Sequence, residues 1–126
     1  MEKINLLIDT DIFIDYFNTG RFSTILENDS FVVYYSIVTE KELLSKRGLK
    51  ASEKEAILYA LKNYRRIKID NVIALKYSEL KQLYPSLDRE DILIAATAII
   101  KNLPLVTRNY KHYRKIKGLV LFTGRE

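Results

Sequence analysis

The chain predicts an α/β fold, an α/β/α sandwich around a small, mostly parallel sheet. Short apolar runs of strand length alternate with longer segments of helical periodicity, the pattern of helices layered on parallel strands. Acids or turn residues stand where strands give way to helices. The first run, Ile4 to Ile8, is bounded by Asp9-Thr10-Asp11 and reads as a buried parallel strand. A helix is expected over Thr10 to Asn18, stopped by Asn18-Thr19-Gly20, then a short helix over Arg21 to Asn28. Phe31 to Ser36, rich in Val and Tyr, gives a second strand. Thr39 with Glu42 three residues on is a capping-box pattern that opens the next helix, which Gly48 ends; Ser52 with Glu55 repeats the signal for a helix reaching about Asn63.

Ile67 to Ile69 predicts a brief strand, and Asp70 can cap a helix to Leu83, with Ala74, Tyr77, Leu80 and Leu83 inward and Pro85 breaking it. Asp88 can cap the next helix, whose body, Ile92 to Ile100, is apolar all round and therefore central. Leu105 to Thr107 is a strand, a basic helical turn follows, and Leu119 to Phe122 closes the sheet after Gly118.

With 126 residues, 48% of them hydrophobic, the chain is expected to form a single domain over 1–126 with a sizeable core. The apolar stretch Ile92–Ile100, interrupted only by Thr97, falls short of the roughly 20 residues needed to cross a bilayer, so no membrane association is expected. The N-terminus reads as a first strand rather than a signal peptide. Absence of cysteine excludes disulfides and thiolate metal sites and fits a cytoplasmic protein. The single histidine, His112, excludes any site built on two imidazoles. Chemistry must then come from carboxylates, hydroxyls or a metal held by oxygen. The net charge is +5, and from Arg108 to Lys117 five cations are interleaved with Tyr110, His112 and Tyr113 and no acid. Such a stretch suits a phosphate backbone with exposed bases, or is a solvated Lys-rich surface.

Asp9 ends the first strand, Glu42 and Asp91 stand near helix starts, and Thr107-Arg108-Asn109 follows a late strand. In open α/β sheets the working crevice lies at the carboxyl ends of the strands, where these positions can converge. An all-oxygen cluster of this kind suits a hard divalent cation such as Mg²⁺. Each acid also has a structural explanation: Asp9 as a helix cap (a role open to Asp11 too), Glu42 as the capping-box partner of Thr39, and Asp91 as that of Asp88. Capping does not explain why all three face one predicted edge. Burying several carboxylates together is costly, and a dication removes that cost.

In order, Asp9-Thr10 after a strand, Ser36 through Leu43, Asp91 through Ala98 (Asp-Ile-Leu-Ile-Ala-Ala-Thr-Ala) and Leu105-Val-Thr-Arg-Asn109 resemble the PIN-domain nucleases. More narrowly they resemble the VapC-type toxins of toxin–antitoxin pairs. The resemblance spans essentially the whole chain. It implies a PIN-like fold and a Mg²⁺- or Mn²⁺-dependent endoribonuclease. Asp9, Glu42 and Asp91 would be the carboxylates around the metal, with Thr107 orienting the cluster and Asn109 completing the catalytic set. Asn109 departs from the acid found at this place in many relatives, and His112 stands three residues further on. Asp88 and Glu90 would be surface and cap residues. Arg108 and Lys111 would grip RNA phosphates and Tyr110 or Tyr113 would stack on a base. A cognate antitoxin and a homodimer are the implied partners, with Phe17, Phe22, Tyr59 and Tyr77 as candidate apolar surface. Two rival readings are a PIN-like protein that only binds RNA and a nuclease that processes RNA without being a toxin. A phosphoacceptor domain built on Asp9 would need a lysine near the last strand, and Lys115 and Lys117 lie too far along.

Overall fold

The computed structural model describes residues 2–124. Four strands form one parallel sheet among them. They are β1 (Ile4–Ile8), β2 (Phe31–Ser36), β3 (Arg65–Ile67) and β4 (Leu105–Val106), in the order β3-β2-β1-β4. The helices are α1 (Thr10–Thr19), α2 (Ser23–Leu26), α3 (Ile37–Leu44), α4 (Ala51–Leu61), α5 (Asn71–Leu83), α6 (Arg89–Lys101) and α7 (Tyr110–Tyr113). β1 is central and must bury both faces, which its sequence allows. Leu6 and Ile8 pack under α1–α4 with Ile12, Phe13 and Leu43, while Leu7 packs on the other side with residues of α5–α7 such as Ile73, Ile92 and Tyr113. The α/β/α sandwich expected from the sequence is the architecture observed, and every strand pairing in it is parallel.

α6 is buried along Ile92, Ile94, Ala95, Ala96, Thr97 and Ala98. The small alanines let it lie close against α5 and the sheet. Thr97 is tolerated in that apolar setting because its hydroxyl donates to the Leu93 carbonyl at 2.8 Å. Gly20, at φ 79, ends α1 with its N–H donating to the Tyr16 carbonyl, a left-handed stop that glycine adopts without strain.

Several local expectations need correction. α3 opens on Ser36, whose hydroxyl accepts from the Val38 N–H at 3.0 Å. Thr39 and Glu42 therefore sit inside the helix and do not form its capping box. α4 opens at Lys50, with Glu53 accepting from the Lys50 N–H at 3.0 Å, rather than at Ser52. β3 starts two residues earlier than expected, because Arg65 pairs with Tyr34 and Ile67 with Ser36. The inner face of α5 is Ile73, Tyr77 and Leu80; Ala74 is exposed and Leu83 is 63% exposed. The closing strand reduces to one parallel bridge, Leu105 to Leu121, since β4 offers only two residues to pair with. Phe17, Phe22 and Tyr77 pack against the cores, whereas Tyr59 stands 74% exposed on α4.

The cap assignment has a direct test. Ser36→Ala should lower stability by about 1 kcal/mol in urea unfolding. Ser52→Ala, an exposed change at the second residue of α4 and not at its N-cap, should stay within about 0.5 kcal/mol of the parent.

Candidate active site

The carboxyl ends of β1 and β4 meet at Asp9, which is 4% exposed. Its backbone N–H donates to the Val106 carbonyl at 2.9 Å, fixing the residue to the neighbouring strand. Its side chain is held from two sides. Oδ1 accepts from the Thr10 N–H at 2.9 Å, which is also the start of α1, and Oδ2 accepts from the Thr107 hydroxyl at 2.7 Å. The Thr107 oxygen in turn accepts the Asn109 N–H at 3.0 Å. Asp9 thus caps α1 with one oxygen and turns the other to Thr107 in the cleft, so of the roles weighed from sequence the cap is the one seen directly.

Thr10 carries the connection to α3. Its hydroxyl donates to Glu42 Oε1 at 2.6 Å and lies 2.9 Å from the Thr39 hydroxyl. Since the single Thr10 proton goes to Glu42, Thr39 must be the donor in that second bond, giving a relay Thr39 to Thr10 to Glu42. Glu42 is exposed as a residue, yet its carboxylate turns to this buried pair. Asp91, in the first turn of α6, accepts from the Tyr113 hydroxyl at 3.2 Å and lies 4.0 Å from His112 Nδ1. Asp88 is the N-cap residue of α6 but its side chain makes no capping bond, so Asp91 is not half of a capping box there.

The electrostatics tie these acids into one cleft. Burial, then the charge of Asp11, push the Asp9 carboxyl up to about 7; Thr107 and Thr10 oppose the rise and Asp91 adds to it. Burial raises Glu42 against the Thr10 bond, with Glu90, Asp91 and Asp11 adding to it. Burial raises Asp91 too, against the Tyr113 bond, with the Asp88 and Glu90 charges contributing. Burial likewise raises Asp11, opposed chiefly by Arg108. The Tyr113 phenol is driven far up by burial and by Asp9, Asp91 and Asp11, so it stays a donor.

Sequence reasoning missed four members of this cleft. Asp11 has both side-chain oxygens buried without a hydrogen-bond partner. Thr10 and Thr39 form the hydroxyl relay, and Tyr113, 1% exposed, orients Asp91 and is too buried to stack on a base. The spacing of Tyr113 and Ile116, both buried, was the available sign that this ring faces inward. Arg108 pairs with Asp11 and Asp15, the Tyr110 hydroxyl donates to the Phe122 carbonyl at 2.8 Å, and Lys111 is exposed. Asn109 and His112 lie on the exposed rim.

The donor chemistry fits a hard divalent cation. Oxygens dominate, and both Asp11 oxygens are buried without a hydrogen-bond partner, with only the Arg108 guanidinium, 3.6 Å away, opposing their charge. Among the described residues no three acids or imidazoles stand close enough to form a ready cage.

The PIN domain profile matches residues 6–118, and the chain belongs to the PIN-domain family. Within that family it is akin to the VapC ribonucleases. It is 35% identical to Ribonuclease VapC1 of Methanocaldococcus jannaschii over 96% of this chain and 89% of that protein. A toxin–antitoxin complex from Klebsiella pneumoniae superposes with a TM-score of 0.75 at 32% identity, covering 91% of this chain and 95% of that one. VapBC2 of Rickettsia felis, bound to a DNA fragment from its promoter, shares the fold with a TM-score of 0.81 at 23% identity, covering 94% and 98%.

A carboxyl whose pKa is raised on folding binds its proton more tightly in the native state, so stability falls as pH climbs between the unfolded and folded values. For Asp9 the window runs from 3.8 to about 7. Metal-free protein in EDTA should therefore lose stability across that window, by up to about 4 kcal/mol from this group. Urea unfolding at stepped pH should show the decline, and Asp9→Asn should flatten it. A wild-type profile that rises with pH would contradict the assignment.

Proposed function

We propose that the chain is a metal-dependent endoribonuclease, the toxin of a toxin–antitoxin pair, acting as a single PIN-like domain over residues 1–126. The observation that carries this reading is the buried Asp9 carboxylate, clamped by Thr10 and Thr107 beside the charges of Asp11 and Asp91, with Glu42 held by the Thr10 hydroxyl, at the carboxyl end of a parallel sheet. The kinship with a protein named a ribonuclease, and with a solved toxin–antitoxin complex above 30% identity, supports it.

Asp9, Glu42 and Asp91 are the residues that would hold Mg²⁺ or Mn²⁺, with Asp11 adding charge. When bound, the cation supplies Lewis acidity toward a phosphoryl oxygen and lowers the pKa of a water it carries. The protein's own groups set the frame. Thr107 and the Thr10 N–H fix both oxygens of Asp9, the Thr10 hydroxyl aims Glu42, and Tyr113 aims Asp91. Exposed Lys111 and half-exposed Arg108 bind the RNA backbone, and Tyr110 offers a ring for a base. Asn109 stands at the rim and serves the cleft through its backbone N–H.

Of the two rival readings, a nuclease that processes RNA without being a toxin would be told apart by the lack of a neighbouring antitoxin gene. The other, a PIN-domain protein that only binds RNA, rested on Asn109 in place of an acid. The Thr107 bond uses the main chain at that position, so the clamp on Asp9 does not depend on an acid there. As a toxin the protein would be held by a cognate antitoxin, work in the cytoplasm and form a homodimer. No helix among the described residues is long and apolar enough to cross a membrane.

Cleavage of a total small-RNA pool is the test. With Mg²⁺ or Mn²⁺, protein freed of antitoxin should yield discrete fragments whose sequenced ends identify the site. EDTA, or Asp91→Asn, should reduce the rate by at least a hundredfold, on the order of the 3 kcal/mol that one well-placed electrostatic contact contributes. RNA held equally well with and without metal, and never cut, would move the reading to a binding protein. Independently of activity, Mn²⁺ should raise the thermal midpoint of the wild type at pH 8 and leave Asp9→Asn unmoved.

A further inference from the structure

Arg108 comes off the turn between β4 and α7, one residue beyond the Thr107 that clamps Asp9. Its guanidinium lies against α1. Nη1 is 3.0 Å from Asp15 Oδ2, and Nε is 3.6 Å from Asp11 Oδ2. Asp11 and Asp15 are one helical turn apart and so present on one face, a two-rung ladder for the fork. The inner rung is part of the acid cleft: the Asp11 charge helps raise Asp9. The outer rung is itself pinned, because Arg21 Nη1 lies 3.3 Å from the same Asp15 oxygen. Two carboxylates and two guanidiniums cancel in charge, so the cluster contributes orientation rather than net attraction. Arg108 is about half exposed along its side chain while both acids are largely covered, which leaves guanidinium donors at the mouth of the cleft.

We propose that Asp15 is a positioning residue for RNA binding, acting through Arg108. It holds the guanidinium in one orientation at the cleft mouth, so that the edge not spent on Asp11 and Asp15 meets a phosphate beside the scissile one. An arginine fixed before encounter loses less freedom when the phosphate arrives, and its planar fork is what the two rungs grip, so lysine cannot take its place. This inference rests on the nuclease reading above, in which Arg108 contacts the backbone.

The test is a double-mutant cycle on KM and kcat, with an RNA oligonucleotide spanning the cleavage site found in the pool experiment. Asp15→Asn should raise KM about fivefold, the cost of freeing one long side chain, with kcat within twofold. Arg108→Ala should raise KM at least tenfold, and Arg108→Lys should resemble it. Asp15→Asn added to Arg108→Ala should change KM no further. If Asp15→Asn raises KM equally in both backgrounds, lowers it, or reduces only the thermal midpoint, the inference is overturned. Wild-type protein that cuts nothing would sink the nuclease reading instead. The same cycle, read as the dissociation constant of a fluorescein-labelled single-stranded RNA, would then still decide whether Asp15 acts through Arg108.

Discussion

Asp9 must keep a carboxylate in a place the fold has closed off from water. Ending the central strand of a sheet covered on both faces buries the group, and burial alone disfavours its charge. Much of the surrounding structure answers that demand. The N–H of Thr10 and the hydroxyl of Thr107 each satisfy one oxygen, and the backbone of Asp9 is tied to β4 by the Val106 carbonyl. These bonds lower the cost without removing it, because Asp11 and Asp91 add negative charge nearby. An acid cluster left in this condition is poised to accept a cation or a proton. Its chemistry follows from the position of one residue in the sheet.

The topology explains how acids so distant in sequence come to share that condition. In a parallel sheet the helices that follow β1 and β2, α1 and α3, begin at the carboxyl edge, and α6, which leads down into the start of β4, has its own first turn at that same edge. Two hydroxyl connections then lock the pieces. The Thr39–Thr10–Glu42 relay joins α3 to α1, and Tyr113 joins α7 to the first turn of α6. The cleft is therefore a property of the complete fold and of no single segment.

The layered architecture and the inward placement of α6 were legible because strand-length apolar runs and a helix apolar all round admit few other arrangements. That Asp9 and Thr107 meet was legible as well, from element ends rather than from the residues alone. What sequence could not supply was register. Ser36, Thr39 and Glu42 are spaced three apart, so Ser36 and Thr39 both fit the cap position, and a one-turn shift decides whether Glu42 serves the helix or the cleft. Asp11 was equally hidden, since beside Asp9 it looked like a second capping candidate and only the packed structure buries both its oxygens without a hydrogen bond. The strand after Gly118 failed for a different reason: its apolar pattern was genuine, but β4 is too short to receive it.

Position 109 separates two properties that active-site residues usually carry together. The geometry of the Asp9 clamp uses the Asn109 main chain, while the side chain stands at the rim. Any residue that keeps its N–H preserves the clamp, so the electrical character of the cleft mouth can be altered there without disturbing the framework behind it. Proline, which has no N–H to give, is the one replacement the framework itself forbids. A change of charge at the cleft mouth that spares the fold is therefore best made at this position.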